Sequence, residues 1–598
     1  LRLTPAVVRS KIAYFSMELG LDASMPTYSG GLGVLAGDTL RSAADLHAPM
    51  VGVTLLHRRG YFRQHLDAQG GQTESAANWN PDDQLKALPT TVTIQMEGRD
   101  VRIRPWRYDL VGVTGHTVPL LFLDTDIDGN NLDDRTLTGQ LYGGDARYRF
   151  RQEVVLGIGG VAVLEALGIG TDLQFHMNEG HSALLTLALL ERAMGSRQVS
   201  RAAKKDFESV RSRCVFTTHT PVPAGHDRFP VDLVRGVLGD ERTRALERLD
   251  CLTEGHLNMT HLALHLSRYI NGVAMRHGDV SRDMFPRYPI NAITNGVHAI
   301  TWTSDPMQRL FDRHIAAWRL DNVYLRYALK IPLDEILTAH MEAKRALIEE
   351  VDRRSGVRLN EQVFTIGFAR RAAEYKRSGL IFKDIERLRA ISRQVGELQI
   401  VFGGKAHPHD QPAKELIRSI FRSAQTLEAD IAVVYVENYD MQIAKHLVAG
   451  VDLWLNTPRP PQEASGTSGM KAALNGVPSL SGLDGWWIEG HLENVTGWCF
   501  GDCAGCGSDT PGELASLYDK LENVILPLYY RQPAAYAAIM RSAIAINGSF
   551  FNTQRMVLQY LTNAYFPASE PTNNNDNGQP TVPSTSSTSS TSSTTSQA

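Results

Sequence analysis

EASGTSGMK, residues Glu463–Lys471, is the stretch on which the reading of this chain turns. Small and hydroxyl residues (Ala464, Ser465, Gly466, Thr467, Ser468, Gly469) run into MKAALNG, whose Met, Lys, Ala and Leu are helix formers. The stretch therefore reads as a loop leading into a helix. The first turn of such a helix presents unpaired backbone N–H groups, and the macrodipole favours negative charge there. Without large side chains in the way, a phosphate or another anionic oxygen can come close to the backbone. Lys471 falls about one turn into the helix.

A lysine beside such a cradle has two chemical uses. It can act as a point charge, or it can form a Schiff base with the aldehyde of pyridoxal phosphate while the amides hold the cofactor's phosphate. A capping loop followed by a surface lysine has the same pattern, and periodicity alone does not choose among the three. The wider stretch NTPRPPQEASGTSGMKAALNGVPSLSGLDGWWIEG, Asn456 to Gly490, closely resembles the pyridoxal-phosphate site of the α-glucan (glycogen, starch, maltodextrin) phosphorylases, here in a short bacterial-type form. The resemblance implies that Lys471 carries the cofactor.

Outward from this stretch, composition bounds the answer. The chain has 598 residues, 43% of them hydrophobic, enough for two or more cores. Its 61 Lys+Arg against 65 Asp+Glu leave a net charge of −4, which gives no reason to expect nucleic acid or an anionic membrane as partner. No apolar run approaches the roughly 18 residues of a spanning helix, and LRLTPAVVRSKIAYFSMELG lacks a signal-peptide core, so a cytoplasmic protein is expected. Of five cysteines, Cys499, Cys503 and Cys506 cluster among glycines. A closed zinc site takes four ligands, and His491, at an unusual spacing, is the nearby histidine that could complete one. The cluster reads as reduced thiols on a loop, with no metal expected.

The chain before the motif alternates strands and helices. KIAYFSMELG (Lys11 to Gly20) reads as a buried strand and turn, followed by the glycine-rich turn of TYSGGLGVLAGD (Thr27 to Asp38). A GGxG turn is weak as an anion site by itself. From Arg58 to Asp134 short β-like runs point to a small antiparallel excursion, and a buried helix is expected over about Arg147 to Leu167. Two strand-then-loop units place Asn178, Glu179 and His181, and then His219, at the carboxyl edge of a parallel sheet, where open α/β folds bind ligands. Residues 305–354 read as helical, with the charge of a solvent-facing connector.

VFTIGFARRAAEYKRSGLIF opens a second α/β series and sets Arg370, Arg371 and Lys376 just past a buried strand. Such cations are usually solvated; here they share a half of the chain with the phosphate-type loop. The chain is helical again after Gly512, and from Pro567 it becomes an Asn/Ser/Thr-rich tail, with Ser569 to Ala598 expected to be disordered.

The phosphorylase resemblance covers Ile12 to Phe566 and implies an α/β protein of GT-B architecture, two Rossmann-like domains facing each other across a cleft. The divisions it implies are 1–296, 297–545, a returning C-terminal helix at 546–566, and the tail, 567–598. For the chemistry it implies Lys376, Arg371, Arg370 and His219 as catalytic residues. The cofactor would be bound by Lys471, Thr467, Ser468, Tyr439, Trp302 and Gly31. The glucan and sugar would be bound by Glu463, Ser465, Gly466, Asn295, Gly30 and Leu32. Where the family usually has Lys-Arg this chain has Arg370-Arg371, which keeps charge and alters donor geometry.

The implied activity is reversible phosphorolysis of terminal α-1,4-glucosyl units of a glucan or maltodextrin, with orthophosphate, to α-glucose 1-phosphate. A homodimer is expected, without the N-terminal phosphorylation switch of the animal enzymes. A nucleotide-sugar glucan synthase of the same fold would account for the glycine loop and the cations but not for the lysine. A noncatalytic glucan-binding protein would require lost site groups, and an aminotransferase would need an Asp partner for the pyridine nitrogen.

Overall fold

The computed structural model describes residues 11–169, 172–249, 251–501 and 510–567. The tail expected to be disordered, along with Cys503 and Cys506, lies outside them. Strand β1 (Ile12–Ser16) is buried at every position, and β2 (Met50–Leu55) runs parallel beside it. β3 (Arg99–Val111) and β4 (Thr117–Asp124) form an antiparallel pair, and β4 also pairs in parallel with β2. The antiparallel excursion is thus welded to the main sheet, which the sequence pattern did not reveal. β5 (Gln174–Asn178), β6 (Cys214–Thr217), β7 (Tyr269–Gly272) and β8 (Ile290–Ala292) extend the sheet, which runs β8-β7-β6-β5-β1-β2-β4-β3, with the short strands Lys86–Ala87 and Val92–Met96 paired to β3 at its far edge.

The second sheet is parallel throughout: β9 (Phe364–Ala369), β10 (Leu398–Gly403), β11 (Val433–Val436), β12 (Leu453–Asn456), β13 (Ser479–Gly482) and β14 (Gly497–Phe500), in the order β11-β10-β9-β12-β13-β14. Covered on both faces, its strands are near-continuous apolar runs such as FTIGFA. Counting parallel strands only, both sheets contain the doubly wound order 3-2-1-4-5-6, with ligand positions expected where the order reverses, beside β1/β5 and beside β9/β12.

Five helices matter for the site: α1 (Gly31–Asp45), α2 (Ala299–Trp302), α3 (Leu333–Ser355), α4 (Thr467–Leu474) and α5 (Trp487–Gly490). The reading of α3 as a solvent-facing connector is overturned. Ile336, Ala339, Ala343, Leu347 and Val351 are buried on one face, and Lys344, fully buried, donates to Asp452 at 2.6 Å while His340 meets the other carboxylate oxygen at 2.9 Å. Charges on a helix are visible in sequence, whereas a buried partner far along the chain is not. Removing one member of such a pair costs about 3–5 kcal/mol, because the other is left buried and uncompensated. The helix expected over 147–167 forms as Ala146–Val154 and Gly160–Ala166 joined by a π-type turn, Val155–Gly159. A Cβ on Gly157 would stand 2.6 Å from Leu185 N, so glycine there permits close packing.

Residues near the C-terminus pack on the first sheet. Tyr565 and Tyr560 join the core of Ile12, Tyr14 and Leu40. The Tyr565 hydroxyl lies 2.5 Å from His176 Nδ1, and the Tyr560 hydroxyl accepts from Asn271 at 2.9 Å. Loops also tie the halves together: Met441 N donates to the Tyr28 hydroxyl at 3.0 Å, and Glu489 of α5 accepts from Met275 N at 2.9 Å and from the Thr294 hydroxyl at 2.7 Å. Among the described residues no helix is long and apolar enough to cross a membrane.

Candidate active site

At the switch point of the second sheet, β9 ends at Ala369, so Arg370 and Arg371 emerge at its carboxyl edge, and Lys376 follows on a single 3₁₀ turn, Glu374–Lys376. The loop after the neighbouring β12 brings Glu463 to them. Arg370 ion-pairs with Glu463, and Lys376 Nζ stands 4.0 Å from the same carboxylate oxygen. Burial and the Arg370 charge lower the Lys376 ammonium to about 7, with Glu463 working the other way. Burial works to raise the Glu463 carboxyl, but Arg370 and Lys376 outweigh it and hold it below the ordinary value. One carboxylate thus faces a group of cations, and Arg370 Nη1 remains buried with no hydrogen-bond partner among the described residues. The next residue, Arg377, turns inward: it donates to Thr457 O at 2.9 Å and to Pro458 O at 2.7 Å and pairs with buried Glu513, bracing the loop that carries Glu463.

That loop ends at Gly466, whose φ of +87° is the left-handed conformation glycine adopts without a Cβ penalty. α4 begins at the next residue, and no side chain caps it. Lys471 is buried, its ammonium 3.9 Å from the centroid of the Trp302 ring. The ammonium itself makes no hydrogen bond or ion pair among the described residues. Burial lowers its pKa to about 8, partly opposed by the charge of Asp38. Trp302 is held in place by donating its indole N–H to Asp38 at 2.7 Å, and Asn475 donates both to Trp302 O (2.8 Å) and to Lys471 O (3.0 Å).

The first sheet's edge is built differently. Past β1, Glu18 accepts from Ser29 N at 2.5 Å, Gly30 N at 3.3 Å and the Tyr142 hydroxyl at 3.1 Å, so one buried acid shapes the glycine turn. The glycines of GGLG have different reasons to be glycine. A Cβ on Gly33 would meet Glu18 Oε2 at 2.7 Å, whereas on Gly30 or Gly31 it would meet nothing within 4 Å. Gly30 and Gly31 therefore border open space, with half-buried Leu32 beside them. Past β5, Glu179 adopts φ +74°, a strained value for a non-glycine residue. It accepts from His219 N at 2.7 Å and from the Thr220 hydroxyl at 3.1 Å. His219 Nε2 meets Asn178 Oδ1 at 2.6 Å, and burial, with His277 nearby, drops the imidazole to about 3. At neutral pH it is an uncharged hydrogen-bonding group.

Two groups of the residues named from sequence come together: Arg370, Lys376 and Glu463 in one ionic cluster, and Lys471 with Trp302. Ser468 accepts from the Trp454 indole at 3.1 Å, Tyr439 is half-buried against Gly403, and exposed Arg371 borders the same small pocket as Arg370 and Lys376. Thr467 opens α4. Ser465 and Asn295 are buried, with Oγ and Oδ1 lacking hydrogen-bond partners among the described residues. Among the described residues no hydrogen bond or ion pair joins His219 to these groups. His226, which had no role in the sequence reading, sits in the core with Nδ1 on the Thr260 hydroxyl at 2.8 Å.

The sequence reading missed Glu18, Asp38, Asn475 and Asp484. Asp484 accepts from Glu463 N at 2.8 Å, and burial, together with the Glu463 charge, raises it to about 7. Its place in GLDGWW, within the motif-bearing stretch, was the available signal. A cavity of about 400 Å³ lined by Arg58, Arg59, Asp126, Arg135 and Tyr148 takes in none of the named residues. Its Arg58 pairs with Asp124 and its Arg135 with Asp126.

Comparison with known proteins agrees with this geometry. The family model for carbohydrate phosphorylase matches residues 239–500. The chain is 39% identical to the maltodextrin phosphorylase of Thermococcus litoralis, over 93% of this chain and 70% of that protein. It is 37% identical to the glycogen phosphorylase of Mycobacterium tuberculosis, over 94% and 71%. With the glycogen phosphorylase of Aquifex aeolicus it shares 34% identity over 93% and 86%. Likeness of this extent, running through both switch points and the lysine-bearing helix, makes the chain a member of the carbohydrate phosphorylase family.

Proposed function

We propose that this protein is an α-glucan phosphorylase that transfers terminal α-1,4-linked glucosyl units reversibly to orthophosphate, giving α-glucose 1-phosphate with retained configuration. The reading takes the two halves, 1–296 and 297–545, as Rossmann-like domains of a GT-B pair, with 546–566 returning to the first. One observation carries it: a buried amine that makes no ion pair among the described residues, Lys471 beneath Trp302, occupies the same half as cations that outnumber their carboxylate.

The residues present fit pyridoxal phosphate. An amine lowered to about 8 is available for condensation with an aldehyde near neutral pH. The open space beside Gly30 and Gly31 and the unpartnered Ser465 Oγ and Arg370 Nη1 leave groups for ligands to satisfy. Lys471 would hold the cofactor, Trp302 and Tyr439 would flank its ring, and Thr467, Ser468 and Gly31 would complete its binding. When bound, the cofactor supplies a phosphate that exchanges a proton with the substrate phosphate.

Two such anions about 4 Å apart repel by roughly 4 kcal/mol at an effective dielectric near 20. Arg370, Arg371 and Lys376 would offset that repulsion, and substrate phosphate would draw Arg370 away from Glu463. The freed carboxylate, with Ser465, Gly466, Asn295, Gly30 and Leu32, is then available to the sugar. His219, neutral and fixed by Asn178, would position a glucose hydroxyl rather than donate a proton to it.

The test is to incubate the purified protein with maltodextrin and phosphate, assaying glucose 1-phosphate and recording the absorption spectrum before and after borohydride. Product formation with a visible chromophore bleached by borohydride is expected. Turnover of ADP-glucose by protein lacking that chromophore would replace this reading with a glucan synthase.

A further inference from the structure

We propose that His491, Glu493 and Cys499 bind a divalent metal ion of the zinc class, at a site outside the candidate active site and independent of the phosphorylase reading. The three offer one ligand atom each, and these atoms all lie within 4.8 Å of one another. Around a tetrahedral zinc with bonds of about 2.0–2.3 Å, ligand atoms stand about 3.3–3.8 Å apart, so side-chain rotation over a short distance closes the set. His491 follows α5, Cys499 is buried in β14, and the parallel bridge between Glu493 and Gly497 folds the connecting turn back on itself.

The carboxylate is already oriented. Its Oε1 accepts from Lys520 Nζ at 2.5 Å, while its Oε2 faces His491 Nε2 at 2.8 Å and Cys499 N at 3.1 Å. Lys520 thus does what a partner behind a metal ligand does, fixing Oε1, while Oε2 accepts from Cys499 N and would exchange its contact with His491 Nε2 for the ion. Thiolate, imidazole and carboxylate together favour zinc over calcium or magnesium, which prefer all-oxygen sets. On binding, the metal would displace the Cys499 proton to solvent, and the resulting thiolate with the carboxylate, against one ammonium, would supply the net negative charge that the cation neutralises. Three protein ligands leave one position for water. Cys503 and Cys506 are not counted among the ligands.

A bound ion would brace α5. Glu489 on that helix holds Met275 and Thr294 of the first half, one residue before Asn295. Trp487 packs on His491 with ring centroids 5.4 Å apart.

The experiment uses the full chain, stripped with chelator and titrated with zinc chloride or cobalt chloride. Bound metal is counted by mass spectrometry, and the thiolate-to-cobalt charge-transfer band is read in the near ultraviolet. One metal per chain with that band is expected. Cys499→Ser should abolish the band, and His491→Gln should weaken binding more than the roughly 10- to 100-fold expected for loss of the orienting partner in Lys520→Gln. Circular dichroism checks that each variant is folded. No stoichiometric uptake, a band that survives in Cys499→Ser, or an unchanged affinity in His491→Gln would each overturn the proposal.

Discussion

The carboxyl edges of the two sheets share a strand order and differ in charge. The first offers a neutral imidazole, buried acids at Glu18 and Glu179, and glycines facing open space; the second offers Arg370, Arg371, Lys376 and a Lys471 with no ion pair among the described residues. Topology sets where a ligand can sit, and the side chains at the switch point decide what kind. An acid-and-amide edge suits a polyhydroxylated sugar, whose hydroxyls both donate and accept. A cationic edge suits phosphate.

Variants at each edge can break this contrast. The largest effect is expected from Lys471→Ala, which should abolish cofactor retention and lower phosphorolysis by at least the roughly 10²- to 10⁴-fold of a lost proton-transfer group. Bound pyridoxal, counted by absorbance after denaturation, and initial rates check it, and a variant with full activity would end the assignment. Arg371→Ala comes next. Loss of one charge-assisted hydrogen bond, about 1.5–3 kcal/mol, should raise the KM for orthophosphate roughly 10- to 150-fold while leaving the KM for glucan near its original value. If both constants rose together, the division of labour between the edges would fail.

A smaller, graded effect concerns pH. Lys376 is lowered to about 7 in the free protein, and a bound anion would raise it again. The charged form, nearly complete a pH unit below this pKa of about 7 and half-populated at it, falls about tenfold per pH unit well above it, so phosphate affinity should decline as pH rises through 7 and 8. Corrected for phosphate's own ionisation, the decline should flatten in Lys376→Arg, since guanidinium keeps its charge. A wild-type profile without slope would remove Lys376 from the phosphate site. The smallest change, about tenfold at one ordinary hydrogen bond, is expected from His219→Ala. It should fall on glucan turnover with phosphate KM unchanged, and a new titration in the rate profile near pH 6 of the wild type would contradict a neutral imidazole.

Outside the edges, the pairing of Lys344 with Asp452 gives a stability counterpart. Lys344→Ala should destabilise folding by about 3–5 kcal/mol in denaturant titrations. Asp452 is raised by burial, but the charge of Lys344 and its bond to His340 outweigh this and hold it below its ordinary value. Its stabilisation is therefore present above the unfolded carboxyl range and is lost as pH falls through the folded pKa.

Legibility followed the length scale of each feature. EASGTSGMK announces a loop, a helix and a lysine because loop glycines and helix formers act over a few residues, and the apolar run FTIGFA announces a strand buried on both faces. The same local chemistry could not show that Glu463 pairs with Arg370, 93 positions away, that α3 buries a lysine against Asp452, or that Glu18 grips the glycine turn. Spacing pairs His491 with the Cys499 cluster, but it could not add Glu493 to them or show that the chain reverses between them.

Composition, periodicity and motif were thus enough to establish an α/β chain with a small-residue loop leading into a lysine-bearing helix, since these depend on neighbours along the backbone. Strand order, the charge contrast between the two edges and the protonation of Lys376, Lys471 and His219 were decided only on folding. Each of them depends on burial and on charges that distant segments bring within a few ångströms, where a low local dielectric makes their interaction strong.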